Sequence, residues 1–179
     1  MIFAYDKDKI YFACSYDSLK EKEYYQCPTE ENLPCWHPHE GMLIYVNTDT
    51  PRIVDLVRYF VKIPTELSFE TVRHFHEDVW SVLQKNGYTN NKAYTLDFTI
   101  ANAHEAYYLT KLGITDRDDK MTAVSGSMSP ELDSAVSKGL PPIERIKAYQ
   151  RLENEYFARK NLPILLLNTA EEGVTVVDI

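Results

Sequence analysis

Four residues able to bind metal or carry nucleophilic chemistry lie within one short stretch: Cys27, Cys35, His37 and His39. Thiolate and imidazole are zinc ligands, so the residue types suit a tetrahedral site. The spacing suits it less well. Seven residues separate the two cysteines, where structural zinc loops usually leave roughly two to four. Pro38 also restricts the backbone of both histidines. The ordinary reading is a loop with a buried thiol and exposed imidazoles, and no metal is expected. Cys35 and His37 lie two apart, so on an extended segment they share a face and form a possible thiol–base pair. Glu30, Glu31 and Glu40 surround them with negative charge, which disfavours a reactive thiolate.

Three further groups have chemical potential. His74 and Asp78 are four apart on a predicted helix and can meet there, with His76 on another face. Ser125-Gly126-Ser127 precedes a predicted helix, and such a turn offers backbone N–H groups to an anion or a carbonyl. The ordinary role of Gly126 is to permit a tight turn. Only 6 glycines occur and none forms Gly-x-Gly, so no dinucleotide or phosphate cradle, and no cofactor, is expected.

The elements that must position these residues follow from hydrophobic pattern. Ile2–Tyr5 and Ile10–Cys14 read as an opening hairpin around Asp6–Lys9. The polar stretch from Asp17 to Glu40 reads mostly as loop, with room for one short strand. Gly41–Val46 is an apolar run of strand length. Thr50 and Pro51 mark a helix start, and the helix runs to about Phe60 with Ile53, Leu56, Val57 and Phe60 on one face. A second helix starts near Ser68 and stops at Asn86-Gly87. Tyr94, Leu96, Phe98 and Ile100 alternate with Thr95, Asp97 and Thr99, which reads as a half-buried strand. Ala106–Leu109 is its partner, Asp116–Lys120 a charged turn, and Met121–Val124 a short strand. Ser129-Pro130 opens a helix to about Lys138. Pro141-Pro142 opens the last helix, with Ile143, Ile146, Tyr149, Leu152 and Tyr156 on its apolar face. Pro163–Leu167 and Val174–Ile179 close the chain as a hairpin around Glu171-Glu172-Gly173.

This order predicts an α+β fold of two packed, mainly antiparallel sheets with a helix pair on each outer face, in one domain over residues 1–179. Composition agrees: 44% hydrophobic and 26% charged residues are globular values. A net charge of −8 opposes a nucleic-acid face, and no apolar run reaches the roughly 20 residues of a spanning helix. Asp6-Lys7-Asp8-Lys9 stands where a signal peptide needs apolar residues, and three cysteines leave at least one unpaired. A cytoplasmic protein is expected. Thirteen tyrosines suit subunit contacts as well as strand positions.

Four stretches together resemble a proteasome β-type or HslV-like subunit of the N-terminal nucleophile (Ntn) hydrolase fold. They are Lys9–Cys14, Met42–Tyr59, Val124-Ser125-Gly126-Ser127 with the helix after it, and Ile143–Ile179. The resemblance implies a four-layer αββα sandwich and ring-forming subunits. It also implies amide hydrolysis by a terminal Thr, Ser or Cys whose own amine, titrating at about 8, takes the proton. The chain departs from that pattern where the nucleophile belongs. Residues 1 and 2 are Met and Ile, and a residue as large as Ile2 is expected to retain Met1. The resemblance also implies an acidic residue and a lysine nearby that tune the charge; at the acid position the match leaves Ser15, with Asp17 two residues on. The lysine has no counterpart between Thr29 and Glu40, and Lys20 and Lys22 are the nearest.

Three functions follow. The first is a non-proteolytic homo-oligomer with a structural or binding role. The second is an amide hydrolase whose nucleophile is relocated to Ser15, Cys14 or Ser125, or exposed by processing. The third is a module binding a peptide or small molecule in the inter-sheet cleft, with Ser125, Gly126 and Ser127 as binding residues.

Overall fold

The computed structural model describes residues 2–6, 9–15, 33–88, 96–116, 123–124, 140–158, 160 and 163–179. Ten strands and three helices are formed there. β1 (Ile2–Asp6) and β2 (Lys9–Ser15) make the opening hairpin, and β3 (Cys35–Trp36) and β4 (Met42–Thr48) follow. Helices α1 (Pro51–Phe60) and α2 (Phe69–Lys85) come next. They lead to β5 (Leu96–Asn102), β6 (Ala106–Thr110), β7 (Gly113–Asp116) and β8 (Ala123–Val124). Helix α3 (Pro142–Tyr156) precedes the closing hairpin of β9 (Ile164–Asn168) and β10 (Glu171–Val177).

The strands form two five-stranded sheets, ordered β10-β9-β2-β1-β8 and β3-β4-β5-β6-β7. Every neighbouring pair is antiparallel. Three apolar layers hold them together. Ile53, Val57, Phe75 and Val79 of α1 and α2 pack on Ile44, Val46, Phe98 and Leu109 of the second sheet. Ile10, Phe12, Leu165 and Leu167 of the first sheet pack with Leu43, Tyr45 and Ala101 of the second. Ile146 and Tyr149 of α3 cover Ala13, Ile164 and Leu166 on the far side of the first sheet. The layers therefore run helices, sheet, sheet, helix. The second helix expected beside α3, over 129–138, lies outside the described residues.

Local chemistry explains the helix ends. Ser68 and Thr71 form a reciprocal capping box: Thr71 N donates to Ser68 Oγ at 3.2 Å, and Ser68 N donates to Thr71 Oγ1 at 2.9 Å. At the other end, Gly87 takes a positive φ of 83° and Tyr88 N donates to Leu83 O at 2.9 Å. Thr50 caps α1 by position but not by its side chain. Its hydroxyl donates to Asp49 Oδ1, while its N–H donates to Thr48 Oγ1. Arg58 of α1 reaches back to β3 and the segment before it: Nη2 donates to Leu33 O at 2.6 Å, and the guanidinium lies 4.5 Å from the centre of the Trp36 ring.

Several expectations change. The strand at Leu96–Asn102 is buried on both faces, because its sheet has helices on one side and a sheet on the other; Thr99 is only 1% exposed. Phe60 is exposed at the end of α1. Tyr156 is exposed at the end of α3, where Gln150 and Asn154 are buried instead and bond to each other at 3.1 Å. β7 has no counterpart in the sequence reading; it exists because Gly113–Asp116 folds back on β6. The last turn falls at Thr169-Ala170, ahead of Glu171-Glu172-Gly173.

Candidate functional site

The space between the sheets has two different ends. At one end the first sheet is pinned between β2 and the turn after β9, and His37 ties it to the second sheet. Ile10 N donates to Thr169 Oγ1, and Thr169 N donates to Ile10 O, both at 3.1 Å. Asn168 Oδ1 accepts from Ala170 N at 2.8 Å and Glu171 N at 3.0 Å, which fixes the β9–β10 turn. His37 Nε2 donates across the sheets to Asn168 O at 2.7 Å. Gly41, with φ of 72°, turns the chain into β4 beside the Thr169 carbonyl.

β2 and β4 both run away from this tied end. Over the five or six residues involved, at about 3.3 Å each, they carry Cys14, Ser15, Tyr45 and Asn47 toward the opposite end. There the inner face of the second sheet becomes polar. Cross-strand partners share a face, and the inner rows change stepwise. Leu43, Ala101 and Ala106 come first, then Tyr45, Thr99 and Tyr108, and last Asn47, Asp97 and Thr110. The polar groups form a chain. Tyr45 Oη donates to Asn47 Oδ1 at 3.3 Å, and Asn47 Nδ2 donates to Asp97 Oδ2 at 2.9 Å. This arrangement holds an oriented carboxylate at the half-buried end of the inter-sheet layer, suited to a ligand's ammonium, amide or hydroxyl protons.

The first sheet brings its own candidates to that end. Ile2 sits opposite Ala13 on β2 and opposite Val124 on β8. The start of β1, the end of β2 and the end of β8 therefore meet at one end of the first sheet. Ser15 ends β2, in register with Ile164, and Cys14 is buried against the inter-sheet core. Val124 is the residue before Ser125. Asp17, Lys20, Lys22, Ser125, Gly126 and Ser127 lie outside the described residues.

The first group of metal candidates is dispersed. Cys35 is fully buried in the inter-sheet core, His37 is committed to Asn168 O, and His39 is exposed. Cys27 lies outside the described residues. Among the described residues no group of three or more His, Cys, Asp or Glu could hold a metal ion. His74 and Asp78 are both exposed on α2, and His74 Nδ1 pairs with Glu77 Oε2 at 3.5 Å. They border a cavity of about 400 Å³ that Lys62, Glu66, Thr71 and Phe75 also line. His76 does lie on another face: its Nε2 is 2.7 Å from Thr110 O and 2.8 Å from Trp80 Nε1.

Asn47 and Asp97 are the site residues that sequence reasoning missed. The signal for Asp97 was the alternation of polar and apolar residues in β5, which alone reads as a solvent face, while Asn47 follows the apolar run of β4 and gave none. No helix among the described residues is long and apolar enough to cross a membrane. A scan of family models found no match to this chain, and a comparison with curated proteins found none either.

Proposed function

We propose that this chain is a proteasome-like protein of the Ntn fold that lacks a usable nucleophile on β1 and works as a non-proteolytic, oligomer-forming or binding protein. The observation that carries the reading is the register of Ile2 against Ala13 and Val124. It brings the start of β1 beside the ends of β2 and β8, where the resemblance expects the reacting residue. Yet β1 contributes only Ile, Phe, Ala, Tyr and Asp. None of these is the Ser, Thr or Cys whose side chain a terminal amine activates. The layered order of helices, sheet, sheet and helix supports the fold part of the reading. The Tyr45–Asn47–Asp97 chain supports the binding part: it gives a peptide or small polar ligand oriented partners in the cleft.

One observation favours a second reading, an amide hydrolase with a relocated nucleophile. Ser15 ends β2 at the same end of the first sheet as the start of β1, and Ser125 is the next residue in sequence after β8. Native mass spectrometry combined with a peptide-amide hydrolysis assay separates the two. The first reading expects an assembly of several copies and no turnover. Turnover that disappears in Ser15→Ala or Ser125→Ala would establish the second. A chain that stays monomeric and gains no thermal stability from peptide ligands would overturn the first.

A further inference from the structure

We propose that β10 is an open docking edge, which takes an extended strand with basic flanks from another protein as a sixth strand of the first sheet. The inference rests on the sheet geometry and the charges that flank the edge, and is independent of the functional reading above. The two sheets end, among the described residues, in β10, β8, β3 and β7. β8 and β3 are two residues long and β7 is four, so they offer little backbone to a partner. β10 is seven residues long and mostly exposed. Edges of this length are usually blunted by Lys, Pro or a bulge. β10 has neither Lys nor Pro.

It has one irregularity, between Glu171 and Thr175, where Gly173 takes a φ of 97°. Beyond it the ladder is regular: Thr175, Val176 and Val177 face Leu166, Leu165 and Ile164. In an antiparallel strand, alternate residues turn their N–H and C=O groups away from the partner. The second half of β10 therefore presents an ordered hydrogen-bonding edge. Its side chains suit strand addition as well. Val174, Thr175, Val176 and Val177 are all β-branched. Val176 points to the inter-sheet side, as its partner Leu165 does, but is 55% exposed.

Charge selects the occupant. Glu171 and Glu172 stand at one end of the edge and Asp178 at the other, with no basic residue over 171–179. A second copy paired about Thr175 would set each Glu172 opposite the partner's Asp178, and like charges opposite one another are destabilising. A foreign strand with Lys or Arg at both ends and β-branched residues between reverses that sign. Main-chain bonds then give affinity and the flanking charges give selectivity.

The test uses labelled peptides and fluorescence anisotropy. The probe is an alternating valine–threonine peptide flanked by lysine pairs; the control carries glutamate pairs. The proposal expects saturable binding of the lysine peptide, about tenfold tighter than the control and weakened by salt. N-methylation of alternate peptide amides, which keeps the charges but removes the donors, should abolish binding in one of the two registers. Val176→Lys should weaken binding without moving the unfolding midpoint, since this side chain is exposed. Equal binding of both peptides, indifference to N-methylation in both registers, or no saturable binding would each overturn the proposal. So would a dimer that Val176→Lys dissociates, because the occupant would then be a second copy.

Discussion

The second sheet shows two faces built from the same strands to different ends. Toward the helices it presents Met42, Ile44, Val46, Phe98, Ile100, Tyr107 and Leu109, all buried. Toward the other sheet the residues in between grade from Leu43 and Ala101 to Asn47 and Asp97. Large interlocking side chains fill the first face, and a T-shaped contact joins Phe75 to Phe98 at 6.5 Å. Hydrogen bonds organise the second, with a tied end where His37 meets Asn168 and a polar end at Asp97. Stability therefore concentrates on the helix side, which leaves the far end of the inter-sheet layer to carry polar groups that a purely structural core would exclude.

Substitutions rank this difference. Phe98→Ala removes a fully buried ring from the helix side and should cost about 3–5 kcal/mol, read from urea unfolding. Thr169→Val at the tied end leaves the buried Ile10 N–H without its acceptor. About 1–3 kcal/mol is expected, measured the same way. Asn47→Ala at the polar end removes the donor to Asp97 and should cost about 1 kcal/mol. A loss as large as that of Phe98→Ala would make the polar end structural and break the comparison. Glu77→Gln sits on the outer surface, where the Arg73–Glu77 pair spans 3.0 Å with side chains 48% and 55% exposed. A change below about 0.5 kcal/mol is expected, and a larger one would show that the outer helix surface matters more than its exposure implies.

Much of the helix side could be read in the sequence because its signals are local. Pro51 after Thr50 marks where α1 begins, and Ser68 before an apolar period with Asn86-Gly87 after it marks where α2 begins and ends. The strand pattern of β5 was equally plain, but its second face was not. Asp97 and Thr99 look solvated until a second sheet is packed over them, and that sheet is assembled from β2 and β9, more than 80 and more than 60 residues away in sequence. The same distance hid the tie between His37 and Asn168, which are separated by 131 positions. Tyr156 misled because it stands at the last residue of α3, where it is exposed, while the polar Gln150 and Asn154 are buried and bond to each other. Cys35 was legible as buried, whereas the partner of His37 was not.

The central claim is that the start of β1 meets the ends of β2 and β8 without bringing a nucleophile of its own. The most direct test treats the native protein with a β-lactone probe, followed by intact mass and peptide mapping; mapping separates hydroxyl adducts from reaction at the cysteines. The account predicts no adduct on an amino-terminal residue and an intact Ile2–Asp6 strand. A single adduct on a newly exposed terminal Ser, Thr or Cys would contradict it and identify the nucleophile.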